Sequence, residues 1–210
     1  RINDATCNII VTADGGYRGA KTIELKQIVD KALETCPSIE KSIVLQRTGG
    51  KVNMKSGRDV WLHEELEHVC DICPAETMES EDALFVLYTS GSTGKPKGVV
   101  HTCGGYMVYA EYSFRNVFQY KDGDVYWCTA DIGWITGHTY IVYGPLLSGA
   151  TTVMFEGVPT YPDSGRFWEI CDKHQVNLFY TAPTAIRALQ ARGKEFVNPY
   201  KLTSLRVLGS

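Results

Sequence analysis

The stretch that most constrains this chain is FVLYTSGSTGKPKGVVH, residues 85–101. An apolar run at 84–87 ends at Tyr88, and residues 89–98 are then almost all glycine, hydroxyl or lysine. A helix-like segment begins after His101. Strand, glycine-rich loop and helix in that order predict an element that holds phosphates. Glycines let the backbone turn its N–H groups inward, and hydroxyls and ammonium groups add further donors. A polyphosphate engages several donors at once, each charge-assisted bond contributing roughly 1.5–3 kcal/mol. The loop is not of the G-x-x-x-x-G-K-[ST] type. The first glycine of that pattern falls on Thr89, and Pro96 follows Lys95 where the Mg²⁺-binding hydroxyl belongs. A proline there also keeps the loop from rolling straight into a helix. The candidate phosphate-binding residues are Thr89, Ser90, Gly91, Ser92, Thr93, Gly94, Lys95 and Lys97.

Along the rest of the chain, apolar runs at 8–12, 42–46, 125–129, 151–155, 177–181 and 205–208 read as strands. Leu25, Ile28, Val29, Ala32 and Leu33 follow the i, i+3, i+4, i+7 spacing of an amphipathic helix. Further helices are expected over 61–69, 106–118, 166–174 and 183–191, with a loop or helix start at 131–139 continuing toward Leu147. Residues 13–21 and 48–59 read as glycine-rich loops, the second protruding or forming a hairpin, and 74–82 as an acidic connector. Strands alternating with helices predict an α/β fold with a mostly parallel sheet and crossover helices. Such sheets bind ligands beyond the C-terminal ends of their strands. The polar segments 13–21, 89–98 and 129–138 all follow strands, which predicts one shared site.

Composition narrows the class. Of 210 residues, 44% are hydrophobic and 21% charged, the values of an ordinary globular domain. A net charge of −3 gives no electrostatic reason to expect nucleic acid or an anionic membrane as partner. No apolar run approaches the roughly 18 residues needed to span a bilayer. The odd count of 7 cysteines fits free thiols in a reducing cytoplasm better than a disulfide framework. Cys70 and Cys73 form a lone C-x-x-C, read as two helix-end thiols because a zinc site needs a second pair. His63, His68, His101 and His174 show no metal spacing, and no metal site is expected. The chain begins at Arg1 and ends just after a strand-like run, so an internal segment of a longer protein is expected.

Two other loops carry candidate chemistry. In 128–146, Trp134 and Ile135 are large apolar residues among Asp131, Thr136, Gly137 and His138. Physically this is either a small apolar pocket or a surface turn whose Trp packs on the core. His138 is either a general base or a structural residue of the loop. Arg18-Gly19-Ala20-Lys21 is a basic glycine loop, suited to an anion or simply to solvent.

The stretch 88–98, YTSGSTGKPKG, resembles the signature of the adenylate-forming enzymes at every position. GRDVW, YWCTADIGW, GHTY, GATTVMFEG and YTAPTAIRAL extend the resemblance to the AMP-forming acetyl-CoA synthetases over the whole chain. The resemblance implies that residues 1–210 are part of a large N-terminal AMP-binding domain, truncated at both ends. Its two half-reactions turn acetate and MgATP into acetyl-AMP and pyrophosphate, then acetyl-AMP and CoA into acetyl-CoA and AMP. ATP, Mg²⁺ and CoA are then substrates, with no tightly bound cofactor. It puts Trp134, Ile135 and Thr136 in the acyl pocket, Thr136 also meeting CoA. Arg18, Gly19, Ala20 and Lys21 fall on the loop for the 3′-phosphate end of CoA. Lys21 stands where the family has arginine, keeping charge but losing the bidentate fork. Thr160 stands where the family has an asparagine that contacts CoA, and 180–184 is expected to support the pocket. The lysine essential for adenylation belongs to a C-terminal domain past Ser210. No catalytic residue is therefore expected here, and the segment alone should be inactive. The alternatives are a propionate or other short-chain ligase, and a nucleotide-binding module without ligase activity.

Overall fold

The computed structural model describes residues 1–89 and 94–210; Ser90, Gly91, Ser92 and Thr93 of the candidate phosphate loop lie outside the described residues. The chain divides into two units, Arg1–Glu76 and Thr77–Ser210.

In the first unit, β1 (Ile9–Ala13) leads into a hairpin of β2 (Gly16–Arg18) and β3 (Lys21–Ile23). Helix α1 (Leu25–Leu33), β4 (Lys41–Leu45), β5 (Asp59–Trp61) and the short α2 (Leu62–Leu66) follow. β1, β4 and β5 form a parallel sheet in that order. Two expectations change. Residues 13–21 are not a simple loop, because Gly16–Arg18 and Lys21–Ile23 pair antiparallel around Gly19 and Ala20. Gly19 adopts a φ of 62°, which a glycine takes without steric cost. The face of α1 also differs from the periodic pattern: Ile28 is 61% exposed while Lys26 is fully buried. Cys70 and Cys73 are exposed and lie past the end of α2 rather than in it.

In the second unit, β6 (Ala83–Thr89) pairs antiparallel with β7 (Lys97–Thr102), and α3 (Cys103–Val117) follows. Next come β8 (Val125–Cys128), α4 (Ile135–Gly137), a π-helix (His138–Tyr143), α5 (Gly144–Leu147) and β9 (Thr151–Val153). Then come α6 (Arg166–Lys173), β10 (Leu178–Tyr180), α7 (Pro183–Gln190), a 3₁₀ turn (Lys194–Phe196) and β11 (Val207–Gly209). The strands β11-β10-β8-β9 are all parallel, in that order. The parallel sheets and intervening helices are those of the expected α/β class.

The core of this unit follows from strand periodicity. Tyr126, Cys128 and Leu178 face one side and pack with Phe114 and Phe118 of the α3 segment. Trp127 and Phe179 face the other and pack with Phe167, Trp168 and Cys171 of α6. A parallel sheet covered on both faces needs apolar residues at successive positions, which is why VYWC and LFY do not alternate with polar ones. Each fully buried large side chain contributes roughly 1.5–3 kcal/mol relative to exposure. Asn177 sets the register at the root of β10: its Oδ1 accepts the Val125 N–H at 2.8 Å and its Nδ2 donates to the Ser204 carbonyl at 3.2 Å.

Candidate functional site

The expected order of strand, loop and helix around residues 89–98 is corrected by the structure. The loop joins two strands: Thr89 pairs with Lys97 and Tyr88 with Gly98, so it is the tip of a β-hairpin. Residues 97–102 take up strand pairing before the helix starts at Cys103. β6 is also only partly buried. Gly98 permits the pairing, since a Cβ there would meet Val86 Cγ1 at 2.9 Å and the Tyr88 ring at 3.1 Å. Gly94, at φ 82°, supplies a left-handed turn close to the tip. Lys95 and Lys97 are exposed. An anion at this tip would be met by lysine charge and loop backbone rather than by a helix dipole.

The hairpin is anchored at its root by aromatic rings. Phe85 stacks on His101 at 4.7 Å, lies 4.7 Å from the His138 ring, and meets Tyr106 edge-on at 4.9 Å. His138 belongs to the π-helix and Tyr106 to α3. One phenyl ring thus ties the candidate phosphate hairpin to the 134–139 segment. Beside it opens a cavity of about 500 Å³, lined among others by Thr102, Tyr106, Tyr109, Ile135, Thr136 and Tyr140. Ile135 and Thr136 therefore share a cavity wall, whereas Trp134 is 70% exposed and is not part of that lining.

Side chains latch the backbone of this segment. The Trp134 carbonyl accepts the His138 N–H at 3.1 Å and the His138 ring Nδ1 at 3.0 Å. A carbonyl only accepts, so Nδ1 carries the hydrogen. His138 is a structural residue of the loop in this arrangement. Thr139 Oγ1 donates to the Ile135 carbonyl at 2.9 Å and is joined to the Tyr106 hydroxyl at 2.8 Å. Burial raises the Tyr106 phenol above its ordinary value, although its hydrogen bond to Thr139 works the other way. The phenol therefore keeps its proton at neutral pH. Two buried thiols are poor nucleophiles: burial raises Cys128 and pushes Cys171 up to about 12. At the C-terminal edge of the sheet, Thr129 donates its N–H to the Tyr180 carbonyl and Thr181 its N–H to the Gly209 carbonyl, both at 3.0 Å.

In the first unit, Arg18 and Lys21 are directly opposite each other across the β2–β3 hairpin. Both are exposed and, among the described residues, neither forms an ion pair. Like charges at opposed positions repel, so an anion bridging them would relieve the repulsion. Thr160, in the second unit, is exposed.

The root of this hairpin is fixed by Asp14, which the sequence reading did not single out. Its Oδ1 accepts N–H groups from Gly15 at 2.6 Å, Arg47 at 2.8 Å and Thr48 at 2.9 Å. Its Oδ2 accepts the N–H of Gly49 at 2.7 Å. Burial alone would raise this carboxyl, but the backbone N–H groups outweigh it and lower it to about 2. Gly15 is needed for the approach, since a Cβ would meet Thr48 Oγ1 at 2.8 Å. The other residues missed in sequence are Lys26, Asp30, Arg58 and Asp59, a buried ion cluster, and the Tyr106–Thr139 pair. Lys26–Asp30 is an i, i+4 pair and Arg58–Asp59 are neighbours. The links that join these pairs, Lys26 to Asp59 and Arg58 to Asp30, and the Tyr106–Thr139 bond connect residues distant in the chain and leave no local signature.

The AMP-binding enzyme family model matches residues 1–210. The chain is 60% identical over 210 residues to acetyl-coenzyme A synthetase 2 of Pseudomonas putida, covering 100% of this chain and 33% of that protein. It is 59% identical to the acetyl-coenzyme A synthetases of Saccharophagus degradans and Desulfatibacillum aliphaticivorans, again over the whole chain, covering 33% and 32% of those proteins. The chain thus spans about a third of the length of the curated relatives it matches. A family model that matches every residue from 1 to 210 means that the chain belongs to the AMP-binding enzyme family.

Proposed function

We propose that the protein activates acetate with MgATP and passes the acetyl group to CoA, and that these residues hold the phosphate, acyl and CoA-binding parts of that site. The observation that carries the reading is the Phe85 anchor, which joins the lysine-bearing hairpin tip to the segment containing Ile135 and Thr136. The identity of about 60% to acetyl-coenzyme A synthetases supports the choice of acid and acceptor.

In the first half-reaction an acetate oxygen attacks the α-phosphorus of ATP, forming acetyl-AMP while the bond to pyrophosphate breaks. The hairpin residues Thr89, Ser90, Gly91, Ser92, Thr93, Gly94, Lys95 and Lys97 orient the β- and γ-phosphates, so that the leaving group departs in line. Lysine charge and backbone N–H groups stabilise the negative charge that develops on pyrophosphate. Trp134, Ile135 and Thr136 bound the space for the acyl group. In the second half-reaction the CoA thiol attacks the acetyl carbonyl and AMP leaves. Arg18, Gly19, Ala20 and Lys21 bind the 3′-phosphate of CoA, and Thr136 meets CoA at the acyl end. The self-repulsion of the Arg18–Lys21 pair makes that phosphate a stabilising partner. No residue among 1–210 is assigned to proton transfer or covalent chemistry. Free thiols suit a reducing cytoplasm, and among the described residues no helix is long and apolar enough to cross a membrane.

The test is acetate-dependent ATP–pyrophosphate exchange in the complete parent enzyme, with Lys95→Ala and Gly94→Ala. Exchange should fall by roughly tenfold or more for Lys95→Ala, the equivalent of one charge-assisted bond. Unchanged exchange in both variants would sink the phosphate assignment.

A further inference from the structure

We propose that Tyr106 is a positioning residue that sets selectivity among short carboxylic acids, acting on Ile135 through the hydroxyl of Thr139. The inference rests on the acyl-pocket reading above.

The order of protons is fixed by chemistry. Thr139 Oγ1 lies 2.9 Å from the Ile135 carbonyl, which can only accept, so the single hydroxyl hydrogen of Thr139 goes there. Tyr106 and Thr139 are joined at 2.8 Å, so the phenol must donate to Thr139 Oγ1. A directed chain results: Tyr106 O–H to Thr139 O–H to the Ile135 carbonyl. Both side chains are buried, Tyr106 at 7% exposure and Thr139 at 4%.

The Tyr106 ring leaves its hydroxyl little freedom to do otherwise. Phe85, His101 and Tyr143 meet it at 4.9, 5.0 and 5.4 Å. A phenylalanine would fill the same space. The hydroxyl adds one thing, its bond to Thr139, and an unpaired hydroxyl at such a buried place would be unfavourable.

The bond matters because of where it ends. A π-helix begins at His138, and such wide turns disturb the regular ladder of carbonyls and N–H groups. Side chains 138 and 139 add a second hydrogen bond to carbonyls 134 and 135, which also accept the His138 N–H. Ile135 and Thr136 then form a wall of the cavity. Displacing the Ile135 backbone by a fraction of an ångström changes the room for one methylene, the difference between acetate and propionate.

The experiment uses the complete parent enzyme and carboxylate-dependent ATP–pyrophosphate exchange with acetate and with propionate. Tyr106→Phe should raise KM for acetate and reduce the acetate-to-propionate preference by about three- to tenfold, the size of one buried hydrogen bond. KM for ATP should stay the same. Thr139→Val should behave likewise, Thr139→Ser should keep the parent profile, and the double variant should be no worse than Thr139→Val. Unchanged preference in Tyr106→Phe, with a changed preference in Ile135→Ala, would overturn the positioning role and leave the pocket standing. Unchanged preference in both would remove the pocket reading and this inference with it. A parallel loss with both acids and with ATP, accompanied by a lower melting temperature, would reduce Tyr106 to a packing residue and overturn the proposal.

Discussion

The ammonium of Lys26 lies 2.8 Å from the carboxylate of Asp59, and neither side chain has any exposed surface. Lys26 also reaches Asp30 at 2.6 Å and the Asn53 carbonyl at 3.0 Å, while Arg58 binds Asp59 at 2.5 Å and Asp30 at 2.7 Å. Burial works to raise Asp59, but hydrogen bonds from Arg58, Lys26 and the Lys55 N–H reverse this and hold it well below the usual carboxylate range. Removing one member leaves a buried charge short of partners, which is more damaging than removing both. Lys26→Met should therefore destabilise the protein by about 3 kcal/mol in urea unfolding. Lys26→Met combined with Asp59→Leu should lose less than the single variant. A single variant as stable as the parent would show that Arg58 alone satisfies Asp59.

Asp14 predicts part of the acid behaviour. Its carboxyl is lowered from 3.8 to about 2 in the folded protein. A group with a depressed folded pKa contributes stability that is fully present above its unfolded pKa and is lost as pH falls through the folded one. The contribution should therefore disappear between about pH 4 and about pH 2. Asp14→Asn should lower stability by about 1–3 kcal/mol at neutral pH, and the gap to the parent should shrink across that window. An identical gap at pH 7 and pH 2, measured by unfolding at each pH, would refute the assignment.

Gly144 marks a close approach between α3 and the π-helix. A Cβ at this position would sit 2.8 Å from the carbonyl oxygens of both Ala110 and Thr139. Both obstacles are backbone and neither can rotate away. Gly144→Ala should lower stability by about 1–3 kcal/mol through overpacking, despite the better helix propensity of alanine. A melting temperature at or above that of the parent would contradict this.

The CoA assignment gives a prediction confined to one half-reaction. In the complete parent enzyme, Lys21→Glu should raise KM for CoA by about tenfold or more, the loss of one charge-assisted contact, and leave acetate-dependent ATP–pyrophosphate exchange unaltered. Lys21→Arg should bind CoA at least as well as the parent, because its fork matches phosphate oxygens. The test includes CoA lacking its 3′-phosphate, for which Lys21→Glu should make little difference. Equal effects with and without that phosphate would place Lys21 elsewhere on CoA.

Much of the architecture was legible in sequence because its signals are local. The apolar runs that became β1, β4, β8 and β10 and the spacing of α1 all arise from neighbouring residues. The errors were non-local. Residues 97–102 read as an approach to a helix, but their pairing with 83–89 makes them a strand, and nothing short-range announces a partner across a loop. Residues 13–21 read as a loop for the same reason, although Gly16–Arg18 pair with Lys21–Ile23. Lys26 drew no attention in sequence, yet the Asn53 carbonyl and the Asp59 carboxylate, 27 and 33 residues away, draw it inward.

By itself the sequence determined the α/β class, the identity of the glycine-, hydroxyl- and lysine-rich stretch, and membership in the AMP-binding enzymes. The first two follow from composition, period and residue order, and membership from the match of residues 1–210 to the family; none needs coordinates. Tertiary structure alone decided that the stretch tips a hairpin, that Arg18 faces Lys21, and that Tyr106 reaches Ile135 through Thr139. Each of these joins residues whose pairing or bonding depends on register and packing. The energies of buried hydrogen bonds and ion pairs arise only once folding has brought the partners together out of water.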